Sequence, residues 1–422
     1  MKTRTSSVSY VPNADLTGLV FCFSLIILLF SSISLPAGSP IGSVVGEVLG
    51  SLPGVAVVAN VDSFSLTQVR YSDLNVAIPV AFLLMVVVLV RNGKRTLSLR
   101  MNIAYAFLLV FALIAGTSAL FYKEYVEALK LAVYVVGIAC FFSFEDEERK
   151  GIARKLLSIC LVAGIVNAGI TIWQYGSMAS WEFSPSTIRL YRPDGIFGDS
   201  IISALFSNVT IAVLALGATR LKAPVRIIVI LLCMVAGVVT GARTFYYLLV
   251  IVGAYLMLAK TRDVSLEKKA LLLCLMIAVV ASPLGQSMID SLTFQDIVSS
   301  RDIKRQLAIE QFGNSPVFGI GTGQYAIYEA SLGMPANSGL HGTNPHNVYV
   351  QVLCENGLVG FIPFVLGLIC SLWLAFKRKN ALAVVLLVIY TAIGWSLGIL
   401  YSIAFTSFFV VFVCSLLGTS ED

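Results

Sequence analysis

Residues 102–121 are NIAYAFLLVFALIAGTSALF, twenty consecutive positions without a charged side chain. A helix of about 20 apolar residues can span the hydrocarbon core of a bilayer, because it makes all of its backbone hydrogen bonds internally. The whole chain has this character: of its 422 residues, 58% are hydrophobic and only 12% are charged, and the mean hydropathy is +0.89. Such a composition excludes a soluble domain with a hydrated surface and indicates a membrane protein.

Similar apolar runs predict about twelve transmembrane helices. They cover residues 16–35, 74–90, 102–121, 125–143, 153–174, 199–219, 225–241, 244–259, 269–285, 356–376, 380–397 and 399–417. Three long segments, 36–73, 175–198 and 286–355, separate spans on one side of the membrane. Within the first of them, the Gly-rich residues 37–60 are interrupted by charge and proline, and are interpreted as a re-entrant or interfacial piece.

The distribution of positive charge predicts the orientation of these spans. With the N-terminus inside, the inner segments carry 20 of the 29 Lys and Arg residues. Cytoplasmic loops are enriched in positive charge, so both termini are expected in the cytoplasm and the long segments in the periplasm. The predicted fold is an all-α polytopic membrane protein with a large periplasmic loop, 286–355, that carries short helices.

Three regions are expected along the chain. Residues 1–198 form N-terminal transmembrane helices with the first outer loops, residues 199–417 form a core that includes the large loop, and residues 418–422 form a cytoplasmic tail. The eight cysteines lie mostly within apolar runs and without C-x-x-C spacing. They are therefore interpreted as small hydrophobic residues between helices, with no disulfide framework.

Both histidines of the chain, His341 and His346, fall in the large outer loop. Histidine is the side chain best suited to proton transfer near neutral pH, which makes the pair a candidate for general-base chemistry. The simpler alternative is that both only hydrogen-bond the local backbone. Their spacing lacks an accompanying set of metal ligands apart from Cys354 and Glu355, which are placed at a helix start, so no metal is expected.

Positive residues are unusually frequent in the predicted outer segments. Arg243 is the clearest case, because it lies in a turn between two apolar runs. The others are Arg189, Arg192, Arg301, Lys304 and Arg305. A lone Arg of this kind can extend to lipid phosphate, but several planar guanidinium groups could together bind a pyrophosphate at the membrane surface.

Local patterns add detail to the outer loop. Residues 301–312 place apolar side chains at helical spacing and predict a short amphipathic helix, with Arg301 and Arg305 exposed one turn apart. The glycines of residues 315–323 either approach a ligand closely or only make turns. In the fourth span, Glu127 and Lys130 are three residues apart and predict an internal ion pair.

These motifs resemble the O-antigen ligase and O-antigen polymerase superfamily of bacterial membrane glycosyltransferases. The strongest part is residues 345–360, PHNVYVQVLCENGLVG, which resembles the family's His-Asn-x-Tyr…Glu-x-Gly-x-x-Gly signature. Residues 192–198 (RPDGIFG), 241–244 (GART) and Arg301 followed by the Pro-x-x-Gly-x-Gly of 316–321 support the resemblance. One departure is Asp199-Ser200, where a Pro-Asn pair often follows in the family.

The resemblance implies a glycan donor carried on undecaprenyl diphosphate, transferred without a cofactor on the periplasmic face of the bacterial inner membrane. It implies His346 as the base and Arg192 and Arg243 as the groups that hold the diphosphate. The expected substrate-binding residues are Arg189, Arg301, Arg305, Asn347, Tyr349 and Glu355. Asn347 and Tyr349 could instead hold the histidine loop, and Glu355 could orient that loop or cap its helix.

The expected partners are the lipid-linked oligosaccharide, membrane lipids, other envelope polysaccharide assembly proteins, and an acceptor, with no role for nucleic acid. The acceptor is lipid A-core for a ligase and a second lipid-linked repeat unit for a polymerase. The His-Asn-Val-Tyr segment slightly favours a polymerase. Two other classes are a solute transporter or flippase, disfavoured because few polar groups lie mid-span, and a structural subunit, disfavoured by the Arg and His residues.

Overall fold

The computed structural model describes residues 12–29, 56–58, 68–70, 77–92, 103–179, 193, 195–197, 200–216, 221–258, 300–332, 345–395 and 413. In this part of the chain helices dominate. They are α1 (Pro12–Leu29), α2 (Ala77–Asn92), α3 (Ile103–Phe121), α4 (Tyr125–Ser143), α5 (Asp146–Ala179), α6 (Ser200–Ala215), α7 (Ala223–Val239), α8 (Arg243–Leu258), α9 (Ser300–Asn314), α10 (Gln324–Ser331), α11 (Val348–Lys377) and α12 (Ala381–Gly394).

Ten of the predicted spans coincide with described helices, namely α1 to α8, α11 and α12. The predicted spans 269–285 and 399–417 lie outside the described residues, apart from Val413. Three helical stretches, Ala104–Phe121, Glu147–Gly176 and Val348–Lys377, are long and apolar enough to cross a membrane. Six further apolar helical stretches among the described residues are only 10–17 residues long. The number of crossings, their orientation and the proposed domain boundaries therefore stay predictions.

The described residues are helical almost throughout, as expected for an all-α chain, and one very short pair of strands is the exception. Within residues 36–73, Ala56–Val58 pairs with Gln68–Arg70 as two short antiparallel strands, with Val57 opposite Val69. The first strand falls at the end of the stretch interpreted as re-entrant. Its valines favour extended backbone, whereas the apolar pattern alone did not distinguish a strand from an interfacial turn.

Small residues allow the helices to approach one another closely. Gly367 of α11 faces Leu108 of α3 so closely that a Cβ atom would touch the leucine side chain. Gly164 of α5 faces Thr210 of α6 in the same manner. Helices in lipid associate through such close packing, because burial of apolar surface offers little gain there.

Helix α11 is broken in its N-terminal part. Gly357 has φ 58° and ψ −163°, which divides the element into two helical parts. This conformation is accessible to glycine and strained for other residues. The break leaves main-chain groups on both sides without helical partners, and it determines how the loop between α9 and α10 packs.

Several hydrogen bonds join the loop elements to the same ends of the long helices. The Thr322 amide donates to Ser118 Oγ near the end of α3, at 3.1 Å. The Gln324 side chain donates to Glu124 Oε1 in the turn between α3 and α4, at 3.3 Å. Helices α9 and α10, the α3–α4 turn and the start of α11 therefore lie at one end of the helical bundle.

Candidate active site

His346 lies directly before helix α11 in a left-handed backbone conformation, with φ 52°. The next residue, Asn347, is buried and begins the helix: its Oδ1 accepts from the amides of Tyr349 (2.9 Å) and Val350 (3.1 Å). An Asn side chain in this position satisfies amides that the first helical turn leaves without partners. The cap therefore holds the histidine at the N-terminal end of α11.

Burial and positive charge both act on His346. The pKa of His346 is lowered to about 4, first because burial disfavours the charged imidazolium and then because of the nearby charges of Arg301, Lys304 and Arg305. The imidazole is therefore neutral at pH 7 and able to accept a proton. These neighbours place the N-terminal end of α11 beside helix α9.

Helix α9 forms between residues 300 and 314, as its sequence predicts, and its cations have different environments. Arg301 is exposed, whereas Arg305 is partly buried. Arg305 contacts Asp302 at 3.3 Å and donates to the main-chain oxygen of Trp395, just after α12, at 3.2 Å. Arg301 and Arg305 thus lie on the accessible side of the helix near His346.

Lys304 has a different environment from its neighbours on α9. Its side chain is only 1% exposed and its Nζ lies 3.1 Å from Oε1 of Glu329 on α10, which is itself 5% exposed. Tyr325 Oη also donates to the main-chain oxygen of Lys304, at 2.9 Å. The sequence predicts that Lys304 is one of several cations in the large loop, but in the structure it joins α9 to α10 inside the protein.

The glycine motif of residues 315–323 packs into the break of α11. The amides of Ile320 and Gly321 donate to the oxygens of Cys354 and Glu355, both at 2.9 Å. In return, the amides of Leu358 and Val359 donate to the oxygens of Pro316 and Val317, at 2.9 and 3.1 Å. The segments 316–321 and 354–359, which belong to separate sequence motifs, therefore form one main-chain bridge.

Two glycines allow this bridge to close. A Cβ on Gly319 would collide with the main chain of Glu355, and a Cβ on Gly357 would collide with that of Val317. Both residues also have positive φ, at 72° and 58°. The sequence left two roles open for these glycines, close approach to a ligand or turn formation. This arrangement favours turns and close backbone packing.

Three residues of the His-Asn signature are placed where they support the loop. Asn347 caps α11, and Tyr349 Oη donates to the oxygen of Thr391 on α12 at 2.8 Å. Glu355 is 1% exposed, and its main-chain oxygen accepts within the bridge. These contacts favour supporting roles, and their assignment to substrate binding stays a prediction.

The arginines assigned to the diphosphate are described only in part. Arg243, expected in a turn between two apolar runs, is the first residue of α8, and Gly241 in the turn before it has φ 61°. The side chain of Arg243 lies outside the described residues, as do Arg189, Arg192 and His341. The structure therefore brings together His346, Arg301 and Arg305, and the placement of the other cations relative to them stays a prediction.

A group of buried amide and hydroxyl side chains, missed in the sequence, lies beside the segment after Arg192. Asn167 and Gln174 of α5 hydrogen-bond the backbone of Gly195 and Ile196, and Ser203 of α6 joins them. Each occurs singly within an apolar run, so only a search for neutral polar residues inside predicted spans could have found them. Polar groups within the predicted spans are therefore more frequent than we expected when a transporter was disfavoured on the sequence.

One further sequence prediction concerns an ion pair. The pair predicted within α4 is present, with Lys130 Nζ 2.8 Å from Glu127 Oε1. Among the described residues, no group of three or more His, Cys, Asp and Glu side chains is placed to hold a metal ion.

Comparison with protein families identifies one part of the chain. Residues 227–365 match the family model described as O-Antigen ligase, and this segment contains Arg243, Arg301, Arg305 and His346. No curated protein matches the chain. The family match confirms the resemblance to the O-antigen ligase and polymerase superfamily, and it supports an O-antigen-ligase-like enzyme integral to a membrane.

Proposed function

We propose that the protein is a glycosyltransferase that transfers or polymerises an undecaprenyl-diphosphate-linked glycan on the periplasmic face of the bacterial inner membrane. The observation that carries the proposal is the juxtaposition of a neutral histidine at the start of α11 with the cationic side of α9. Glycan transfer from a lipid diphosphate requires a base for the attacking hydroxyl and a surface that binds the anionic diphosphate.

In the proposed reaction, an acceptor sugar hydroxyl attacks the anomeric carbon of the donor glycan. The bond between that carbon and the diphosphate oxygen breaks, and its electron pair leaves with the lipid diphosphate. His346 takes the proton of the attacking hydroxyl. Arg192 and Arg243 hold the diphosphate through their planar guanidinium groups, while Arg301 and Arg305 steer the donor or the acceptor sugar.

The proposal needs no metal, because a diphosphate is already a good leaving group and arginines can neutralise its charge. Transfer by purified protein should therefore continue in excess EDTA. Complete loss of activity that one divalent ion restores would overturn this part of the proposal.

Single-turnover transfer and donor binding together test the assigned roles. His346→Ala should slow turnover by roughly 10²–10⁴-fold with nearly unchanged donor binding, because a general base acts only in the chemical step. Arg243→Lys keeps the charge but loses the bidentate fork, so donor affinity and rate should both fall. His341→Ala is the control, because His341 lies outside the signature, and it should change turnover and donor binding only slightly.

Full turnover by His346→Ala, or wild-type behaviour of Arg243→Lys, would contradict these roles and favour the transporter or flippase alternative. A polymerase is slightly preferred to a ligase that attaches the glycan to lipid A-core. Deletion of the gene separates these two possibilities. Single repeat units should accumulate on undecaprenyl diphosphate if the protein is a polymerase, and long chains if it is a ligase.

A further inference from the structure

A tryptophan at the end of α12 is exposed beside the cationic side of α9. Trp395 directly follows the last residue of α12, and 65% of its surface is exposed. Its main-chain oxygen accepts a hydrogen bond from Arg305 at 3.2 Å, which joins the end of α12 to α9. Exposed apolar side chains are ordinary in a membrane protein, so the surroundings of Trp395 determine what its ring can contact.

The indole ring is held on one side by the first turn of α11. The ring centroids of Trp395 and Tyr349 are 6.4 Å apart, and the two planes are inclined by 46°. Tyr349 is itself fixed, because its Oη donates to the oxygen of Thr391 at 2.8 Å and its ring packs against Phe364 at 6.2 Å. An aromatic ring held in this way loses little conformational freedom when a ligand covers its free face.

Two connections lead from Trp395 to the candidate base. Through α11, its neighbour Tyr349 lies three residues after His346, in the first turn of the helix. Through α9, Arg305 binds the main chain of Trp395 and is one of the cations whose charges act on His346. The exposed indole and the base therefore belong to the same end of the helical bundle.

Charged groups near the ring favour a sugar over a lipid chain as its ligand. Arg305 contacts Asp302 at 3.3 Å, the Asp302 side chain is 55% exposed, and Arg301 on the same helix is exposed. A hydrocarbon chain would desolvate these groups without offering a hydrogen bond in return. A sugar ring offers hydroxyl groups to charged side chains and a C–H face to an aromatic ring. The exposed indole and its charged neighbours together fit a carbohydrate.

We propose that Trp395 is a binding residue for the acceptor sugar, whose ring packs on the exposed indole while its attacking hydroxyl reaches His346. The inference rests on the proposed function, because it takes His346 as the base for that hydroxyl. The acceptor is favoured over the donor because its hydroxyl must lie within hydrogen-bonding distance of the base. Trp395 lies outside the segment that matches the family model and adds a determinant of acceptor affinity.

The simpler alternative is that Trp395 only contacts the bilayer interface, where tryptophan is enriched. Binding in nanodiscs separates the two explanations. The probes are two oligosaccharides released by mild acid, the repeat unit from its lipid carrier and the core from lipopolysaccharide, together with sugar-free undecaprenyl diphosphate. Trp395→Leu should raise the Kd of one oligosaccharide roughly tenfold, because leucine has no flat face, and leave the Kd of undecaprenyl diphosphate within about twofold of wild type.

Trp395→Phe keeps an aromatic ring and should recover most of the affinity. In transfer assays, Trp395→Leu should raise the KM for the acceptor by a similar factor, with kcat and the KM for the donor near wild type. The oligosaccharide whose binding is weakened identifies the acceptor as a repeat unit or as core.

Trp373→Leu is the matched control. Trp373 is similarly exposed, at 56%, but lies near the C-terminal end of α11, where Lys377 Nζ is 5.0 Å from its ring centroid. The substitution should change neither the affinity for either oligosaccharide nor the KM for the acceptor. Thermal unfolding identifies any variant that does not fold.

Unchanged oligosaccharide affinity and acceptor KM in well-folded Trp395→Leu would overturn the inference, while loss of turnover in His346→Ala would still support the proposed function. Equal weakening by Trp395→Leu and Trp373→Leu would indicate a general lipid contact and overturn it too. The same holds if Trp395→Leu weakens binding of undecaprenyl diphosphate as much as binding of the oligosaccharide. Full turnover by His346→Ala would contradict the proposed function itself, and the acceptor assignment would fall with it.

Discussion

At the scale of single residues, the protonation of His346 determines how kcat/KM should depend on pH. Its pKa of about 4 reflects burial and the charges of Arg301, Lys304 and Arg305. Arg305 has a carboxylate neighbour in Asp302, and Lys304 has one in Glu329. The positive charges nevertheless lower the pKa of His346. The base form therefore persists into acidic solution.

The acid limb of kcat/KM, which reports the free protein, should consequently lie at low pH. We expect kcat/KM to stay level from about pH 8 to about pH 5 and to fall towards pH 4, because protonated His346 cannot accept a proton. Arg301→Gln and Arg305→Gln each remove a positive charge, raise the pKa and move the fall to higher pH. A wild-type limb near the ordinary pKa of about 6.5 would contradict this environment.

The buried pair Lys304–Glu329 gives a prediction for stability. Glu329→Gln leaves the Lys304 ammonium buried beside a neutral amide, and we expect a loss of about 3–5 kcal/mol in the free energy of unfolding. The double variant Lys304→Met, Glu329→Leu should recover much of this loss, because it buries no charge. Chemical unfolding in detergent measures both.

The ion pair Lys150–Glu147 is the matched control, since it has a similar separation of 3.0 Å but is largely exposed. Glu147→Gln should change stability by at most about 1 kcal/mol. Equal effects of Glu329→Gln and Glu147→Gln would show that burial of the first pair is not what stabilises α9 against α10.

At the scale of elements, the break of α11 depends on Gly357. Gly357→Ala places a Cβ against the main chain of Val317 at a residue with φ 58°, so both the break and the bridge to residues 316–321 are strained. We expect a loss of about 1–3 kcal/mol and a lower Tm. Gly169→Ala is the control, because this helical glycine of α5 has open space around its Cβ position.

The control should be neutral or slightly stabilising, since alanine is the better helix former. If Gly357→Ala is equally harmless, α11 can run straight through the break, and the bridge does not determine its shape.

The helices themselves follow from apolar runs, whereas the arrangement of the site does not. Uncharged runs such as residues 102–121 locate helices because lipid requires them, and the spacing of residues 301–312 locates α9. The burial of Lys304 could not be predicted, because its partner Glu329 lies on another helix, 25 positions away. The bridge between residues 316–321 and 354–359 likewise joins main-chain groups, which side-chain patterns do not reveal.

At the scale of the whole molecule, the positive-inside pattern predicts which loops face outward. Single cysteines replacing Ser180 and Pro335, in a background without reactive native thiols, should react with a membrane-impermeant maleimide in intact cells. Cysteines replacing Thr96 and Ser265 should react only after the membrane is opened. Labelling of position 96 from outside would contradict the twelve-span arrangement.

The paired segments in the break of α11 also affect how the protein can be altered by recombination. Residues 316–321 and 354–359 are distant in sequence but satisfy one another's main-chain hydrogen bonds. The two segments therefore need to be exchanged together. A hybrid with a related enzyme should fold when both segments come from the same parent and fail when they come from different ones. Crossover points between them should therefore be rare among functional chimaeras.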